Sequence, residues 1–365
     1  MIPEGWVHGQ IKDFFFLQRG FDLTQKNATD GFIPVYSSSG LAYFHNISKV
    51  KGPGIVTGRK GSVGPVYLIE EDFWPHDTTL WVTDFKGNHI EYIKYFMIYL
   101  KLERFDEASS VPTLNRNNVH GVKCVFPPLP EQKKIAQILS TWDKAITTTE
   151  QLLANSQQQK KALMQQLLTG KKRLKGFGGE WRTHDLSEVA IITMGSSPKS
   201  EAYNDLGMGL PLIQGNADVK NRKSAPRVFT SEITKECRIG DVLLSVRAPV
   251  GTIALSKHNA CIGRGIASIR AILGVSQDYL YHWLLWFEPM WVSLSQGSTF
   301  ESINSDDIKK LKMKLPAFEE QQAIAAVLSA ADREIEVLQQ KLEGLKQEKK
   351  ALMQQLLTGK RRVKV

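Results

Sequence analysis

Two short stretches of the first half carry side chains suited to phosphate oxygens or base edges. Gly58-Arg59-Lys60-Gly61-Ser62-Val63-Gly64 puts two cations on a glycine-rich turn, and Tyr36-Ser37-Ser38-Ser39-Gly40 gathers small hydroxyls beside an aromatic ring. A nucleotide loop would need GxxxxGK[ST] spacing with a helix behind it, and the basic turn has neither. The bland reading is a surface hairpin with a solvated Arg-Lys pair. The functional one is that backbone amides and cations meet DNA phosphates or guanine edges. The second half has a counterpart in Gly240 to Gly251, a strand followed by a turn that sets Arg247 opposite Lys60. Beside it stand Leu210-Pro211-Leu212-Ile213-Gln214-Gly215-Asn216, read as strand and turn, and a basic run of Lys220, Arg222, Lys223 and Arg227.

Catalytic constellations are missing. The chain has no GxGxxG, no HExxH and no GxSxG, and it lacks the aromatic-flanked Asn/Asp-Pro-Pro tetrapeptide that holds a flipped adenine. Its 8 histidines are scattered, and Asp72, Asp77 and Asp241 lack the companion acids and lysine of a nuclease. No metal site is expected, and the chain alone is expected not to be an enzyme.

The elements that must position these turns are set by a duplication. Lys160-Lys161-Ala162-Leu163-Met164-Gln165-Gln166-Leu167-Leu168-Thr169-Gly170-Lys171-Lys172-Arg173-Leu174-Lys175 returns as Lys349 to Lys364, changed only where Lys172 becomes Arg361 and Leu174 becomes Val363. Extended backwards at the same spacing, Glu131-Gln132 meets Glu320-Gln321, and Asp143 meets Asp332. Thr113-Leu114-Asn115 meets Ser302-Ile303-Asn304. Trp6 and Gly20 pair with Trp181 and Gly195 at a shorter spacing, so the halves share a frame and differ by insertions.

The duplicated ends read as long helices with a heptad seam. In the second copy it runs through Ile324, Leu328, Ala331, Ile335, Leu338, Leu342, Leu345, Leu352 and Leu356, with a polar break at Lys349. In the first it runs through Ile135, Leu139, Trp142, Ile146, Leu153, Leu163 and Leu167, broken at Thr149, Ser156 and Lys160. Gly170 and Gly359 stand where helix C-caps belong, each followed by cations that suit the negative end of the helix dipole. Two such seams predict helices packed on each other as an antiparallel rod.

At 42% hydrophobic and 23% charged the composition is that of a soluble globular protein, and 365 residues suffice for two cores plus connecting helices. No apolar run is long enough to span a membrane, and the start is no signal peptide. Cys124, Cys237 and Cys261 are odd in number and far apart, so a reducing cytoplasm is expected. The net charge of +10 points to a polyanionic partner. Its excess lies on the helices and the second half, since residues 1–130 are balanced.

The expected architecture is therefore α/β (α+β), with an internal pseudo-two-fold repeat. Two mixed α/β domains, 1–130 and 181–317, are joined by a central long helix and linker, 131–180, and a distal long helix, 318–365. Strands are expected at Phe32–Tyr36, Gly54–Thr57, Val66–Ile69 and Leu80–Val82, and helices over Ile90–Glu103 and Tyr279–Trp291.

This arrangement resembles the specificity subunit of a Type I restriction–modification system, over essentially the whole chain. The resemblance is carried by three groups of residues. They are the Leu129-Pro130-Glu131-Gln132 and Leu315-Pro316 to Gln321 helix starts, the paired Leu-Met-Gln-Gln-Leu-Leu-Thr-Gly helix ends, and the phrases Ile33 to Gly40 and Gly195 to Lys199. It implies two target-recognition domains reading the parts of a split double-stranded DNA site, and helices that set the spacer and dock two modification subunits. Those partners would carry the adenine methyltransferase chemistry and bind S-adenosylmethionine, so no cofactor is expected here. Motor-nuclease restriction subunits would complete the complex. DNA contacts are expected from Lys26, Ser37, Ser38, Ser39, Arg59, Lys60 and Ser62 in the first domain. In the second they are expected from Ser197, Lys199, Gln214, Asn216, Arg222, Lys223, Arg247 and Arg264. Arginine and Asn/Gln suit bidentate contacts to guanine and adenine, lysine and serine suit phosphate. The alternatives are a stand-alone two-domain DNA-binding regulator and a structural coiled-coil adaptor.

Overall fold

The structure, a computed structural model, describes residues 3–106, 110–295 and 302–364, the side chains of 292–295 excepted. It divides into two units, Met1–Glu150 with Gln340–Val365, and Gln151–Gln339. The two long helices, Leu129–Leu167 and Phe318–Leu357, each begin in one unit and end in the other. Each unit thus combines the start of one helix with the end of the other.

In the first unit a four-stranded antiparallel sheet has the order Phe16–Arg19, Thr79–Asp84, Gly54–Gly58, Val66–Ile69. A three-stranded sheet joins Gly40–His45, Ile33–Ser37 and Trp74–Pro75, the last two parallel with Val35 opposite Trp74. The expected helix is α-helical over Ile90–Leu100, and it continues as a 3₁₀ turn over Leu102–Phe105 after Lys101 turns left-handed. Burial follows the period. Leu17, Ile55, Tyr92, Ile93 and Met97 form one core with Ile135, Leu139, Met353 and Leu356 from the two long helices. Truncating a fully buried leucine such as Leu139 to alanine costs about 2–5 kcal/mol.

The second unit repeats the plan with larger sheets. The six-stranded sheet is ordered Ala190–Met194, Ile266–Ala271, Val242–Ser245, Ile253–Leu255, Lys223–Ser224, Val219–Lys220. In the five-stranded sheet Leu210–Ile213 runs parallel to Ala260–Ile262, with Leu212 opposite Cys261. Helix Gln277–Ser295 packs Tyr279, Leu280, Trp283 and Leu284 into a core with Leu167, Ile324 and Leu328. Its aromatics are core side chains.

Within each unit the helix segments run antiparallel, and the duplicated charges pair. Lys349 reaches Asp143 and Lys346 lies 2.7 Å from Glu150 in the first unit. Lys160 reaches Asp332, and Ser156 donates to Glu334 at 3.1 Å, in the second. The polar breaks in the seam are thus ion pairs and hydrogen bonds, and Thr149, buried, returns its hydroxyl to Ala145 O at 2.7 Å. Every seam residue named above is buried or half-buried.

The helix ends are built alike. Gly170 and Gly359 take φ 71° and 70°, the left-handed cap that glycine adopts freely. Arg173 and Arg362 do not stay at the caps to serve the dipole. Each forms a bidentate fork with the buried glutamate that opens the other long helix. Arg173 meets Glu320 at 2.5 and 2.5 Å, and Arg362 meets Glu131 at 2.7 and 2.8 Å. The adjacent Gln132 and Gln321 each accept from a backbone N–H at 2.9 Å, of His89 and Ser276. Residues shared by the two copies are therefore scaffold.

Candidate nucleic-acid interface

In the first unit the expected loops converge where parallel strands Ile33–Ser37 and Trp74–Pro75 end. Ser38 N donates to Thr78 Oγ1 at 3.2 Å, and Arg59 N and Lys60 N both donate to Thr78 O, at 2.8 and 3.1 Å. Gly58 lies so close to the turn that a Cβ there would fall 1.7 Å from Ser62 O. Ser37 and Ser39 hydroxyls sit 3.1 Å apart. Lys60, Ser62 and Ser39 are exposed, while Ser38 is buried. Lys26 sits instead on the one-turn helix Gln25–Asn27, whose Gln25 lines a separate cleft with Phe32 and Phe44.

Arg59 is half-buried and engaged with the neighbouring loop. Its Nε donates to Asp77 O at 3.0 Å, and burial first, then the neighbouring Arg19, pull its pKa below the ordinary guanidinium value. A second exposed cation of this corner, beside Lys60, is Arg19, the last residue of its strand, held by Asp77 Oδ2 at 2.7 Å. Asp77, Asp22 and His76 lie close enough to share a cation, but Asp77 is already engaged by Arg19.

In the second unit five of the expected residues, Ser197, Gln214, Asn216, Arg247 and Arg264, line one cleft of about 270 Å³. Asn216 Nδ2 donates to Pro249 O and Thr252 Oγ1 at 3.2 and 3.0 Å, and its Oδ1 is buried without a partner. Gln214 Nε2 donates to Tyr203 Oη at 2.8 Å, and Ser197 Oγ accepts from Arg264 N at 3.1 Å. Arg247 and Arg264 are exposed, and neither forms an ion pair among the described residues.

Three other expected contacts stand apart from this cleft. Lys199, exposed, donates its backbone N–H to Glu232 at 3.3 Å. Arg222, held left-handed at φ 60°, binds Ile253 O at 3.1 Å and the carboxylate of Glu288. Lys223 meets Glu336 of the distal helix at 3.0 Å. Arg227, in the same basic run, meets Asp218 at 3.0 Å. The run is thus largely neutralised by carboxylates of its own unit.

The two corners share one backbone frame, fixed by matching hydrogen bonds. His76 N to Tyr36 O, 2.8 Å, matches Gly263 N to Ile213 O, 2.8 Å. Arg59 N to Thr78 O, 2.8 Å, matches Val246 N to Gly265 O, 2.9 Å, and Gly20 N to Thr79 O, 3.1 Å, matches Gly195 N to Ile266 O, 2.9 Å. Lys60 bridges Thr113 as Arg247 bridges Ser302. In this frame Ser37, Ser38 and Ser39 stand where Gln214, Gly215 and Asn216 stand, and Asp77 stands where Arg264 does. The same main chain presents different donors and acceptors.

No helix among the described residues is long and apolar enough to cross a membrane. The cysteines are free, and burial pushes the Cys124 thiol up to about 12. Comparison with known proteins agrees with the repeat. A putative type I restriction enzyme specificity subunit, MjaX, of Methanocaldococcus jannaschii is 33% identical over 407 aligned positions, covering 100% of this chain and 95% of that one. The MjaVIII specificity subunit of the same organism is 26% identical over 71% of this chain and 66% of its own. Among solved structures, a Type I restriction–modification S subunit from M. genitalium superposes with a TM-score of 0.70, at 15% identity, over 96% of both chains. A chain from a study of type I R-M complex assembly superposes at 0.65, with 24% identity, over 98% of this chain and 99% of that one. The family model described as the type I restriction modification DNA specificity domain matches residues 3–155 and again 178–347, one match per repeat, and the chain belongs to that family.

Proposed function

We propose that this specificity subunit reads a split double-stranded DNA site, one part with each unit, through the loop corners at Ser37–Ser39/Lys60 and Gln214–Asn216/Arg247. Domains 1–130 and 181–317 act as the target-recognition domains. The paired helices serve as spacer and as the docking surface for two modification subunits. The chain itself catalyses nothing, takes no cofactor, and works in the cytoplasm. S-adenosylmethionine and the adenine methyltransferase chemistry belong to those partners, and motor-nuclease subunits complete the restriction complex.

One observation carries this reading: a backbone frame fixed by matching hydrogen bonds presents hydroxyls and lysine in one unit, and amides and arginines in the other. A catalytic site would demand fixed side chains, whereas a pair of readers needs a fixed frame and variable donors. Bidentate Arg to guanine is a pairing such a corner can make. The excess positive charge supports phosphate contact.

The test is to express the chain with the methyltransferase encoded beside it and sequence the host methylome. A gapped, two-part adenine-methylation motif that disappears when this chain is deleted is the expected outcome. Tight DNA binding by the isolated chain with no such motif would instead favour a stand-alone regulator. Absence of any steep salt dependence of DNA affinity would favour a structural adaptor.

A further inference from the structure

We propose that Arg19, clamped by Asp77, is the guanine-reading side chain of the first unit and stands in for Arg264 of the second, while Arg59 is a structural strut. This rests on the DNA-reading function proposed above and assigns it to a residue that no loop motif marks.

The argument starts from the shared frame. Arg19 and Met194 are the final residues of edge strands Phe16–Arg19 and Ala190–Met194, each followed by a glycine that lets a neighbouring loop press close. A Cβ on Gly20 would fall 2.1 Å from His76 O, and one on Gly195 would fall 2.1 Å from Gly263 O. The loop pressed there carries Asp77 in one unit and Arg264 in the other. Where the second unit sends out a guanidinium directly from this loop, the first sends out a carboxylate. Asp77 draws the guanidinium of Arg19 to its Oδ2 at 2.7 Å, so the same corner again holds a cation.

The clamp suits recognition. Arg19 is 57% exposed and Asp77 23%, so the carboxylate backs the fork from behind while most of the fork faces solvent. Asp77 takes a hydrogen of Nη2, and the remaining donors of the five on a guanidinium are left to face the O6 and N7 of a guanine. Holding the side chain beforehand lowers the ordering cost on binding. Arg59 has the opposite character. Its counterpart in the frame is Val246, a core residue, and its Nε is spent on Asp77 O. Its position in the frame faces inward.

The test uses the chain co-expressed with its methyltransferase and reads the methylation motif. Arg19→Met borrows the residue that the second repeat tolerates at this position. It should relax one base of one half-site, losing roughly 5- to 150-fold discrimination for guanine there, with the other half-site and the gap unchanged. Arg19→Lys should relax the same base, since a point charge does not replace a fork. Arg264→Ala should relax the other half-site. Arg59→Met should lower thermal stability and leave the motif as it was. The inference is overturned if Arg19→Met leaves both half-sites intact, or weakens modification equally at every site, which marks a phosphate contact. It is also overturned if Arg59→Met, and not Arg19→Met, rewrites the motif. Should the unmutated set give no gapped motif, the DNA-reading function itself has failed, which separates the two conclusions.

Discussion

Lowering the pH from 7 to 5 should soften helix Gln277–Ser295 of the second unit, because His282 there is buried uncharged. In the first unit burial also lowers the pKa of His120, whose Nε2 accepts from Leu17 N at 2.9 Å, but that histidine lies outside helix Ile90–Leu100. His282 is 1% exposed, its Nε2 lies 3.0 Å from Ser329 Oγ, and its Nδ1 has no hydrogen-bond partner. Burial, with a smaller push from Lys160, pulls its pKa down to about 4, and Asp332 at 3.8 Å only partly offsets this. The unfolded chain takes up the proton near pH 6.5, the ordinary histidine value, and the folded chain does not until about 4. A depressed folded pKa contributes stability that is complete above 6.5 and is lost as pH falls toward 4. Linkage puts the loss between pH 7 and 5 at about 2 kcal/mol. The first unit places Tyr95 against Asp143 instead, Oη to Oδ2 2.6 Å, and burial raises that phenol away from this range. Hydrogen exchange read by mass spectrometry, corrected for intrinsic rates, should show Gln277–Trp291 losing protection at pH 5 relative to Ile90–Leu100. His282→Gln should remove most of the difference. Equal loss in both helices, or an unchanged drop in the variant, would refute the assignment.

Two further perturbations probe the scaffold. Asp143→Ala strands the Lys349 ammonium, whose side chain is only 15% exposed, and should cost about 1–3 kcal/mol, between a surface pair and a buried one. A double-mutant cycle with Lys349→Met in urea should give a coupling above about 1 kcal/mol, and a value under about 0.5 would reduce the pair to a surface contact. Gly195→Ala places a Cβ 2.1 Å from Gly263 O, so the loop carrying Arg264 must move. Methylation at the second unit's half-site should fall at least several-fold with the first half-site intact, and an unchanged motif would mean the loop is not a reader.

What could be read from the chain was whatever repeats at short range. The heptad seam, the glycine caps and the helices around Ile93 and Trp283 follow from periods within one segment, and small polar residues at strand ends marked Ser37–Ser39 and Gln214–Asn216. Charge pairing across segments was not legible. Lys160 and Lys349 looked like breaks in the seam because the carboxylates opposite them, Asp332 and Asp143, are fixed only by helix pairing. The carboxylates that meet Lys223 and Arg222, Glu336 and Glu288, lie 113 and 66 residues away along the chain. Arg19 ends a strand and belongs to no loop motif, and its partner Asp77 lies 58 residues on. The single signal available was the pairing of Gly20 with Gly195, which places Arg19 against Met194.

That contrast also bears on how such a chain changes specificity. The forks of Arg173 with Glu320 and Arg362 with Glu131, and the Lys–Asp pairs, are the same in both copies and hold the frame. A cation at the corner proposed to read DNA is reached by two different routes, directly from Arg264 in one unit and through Asp77 and Arg19 in the other. A frame fixed by backbone hydrogen bonds lets donors and acceptors be exchanged at its rim without disturbing the core beneath. Divergence at the corners is thus physically cheap, while a change to a scaffold pair would strand a half-buried charge.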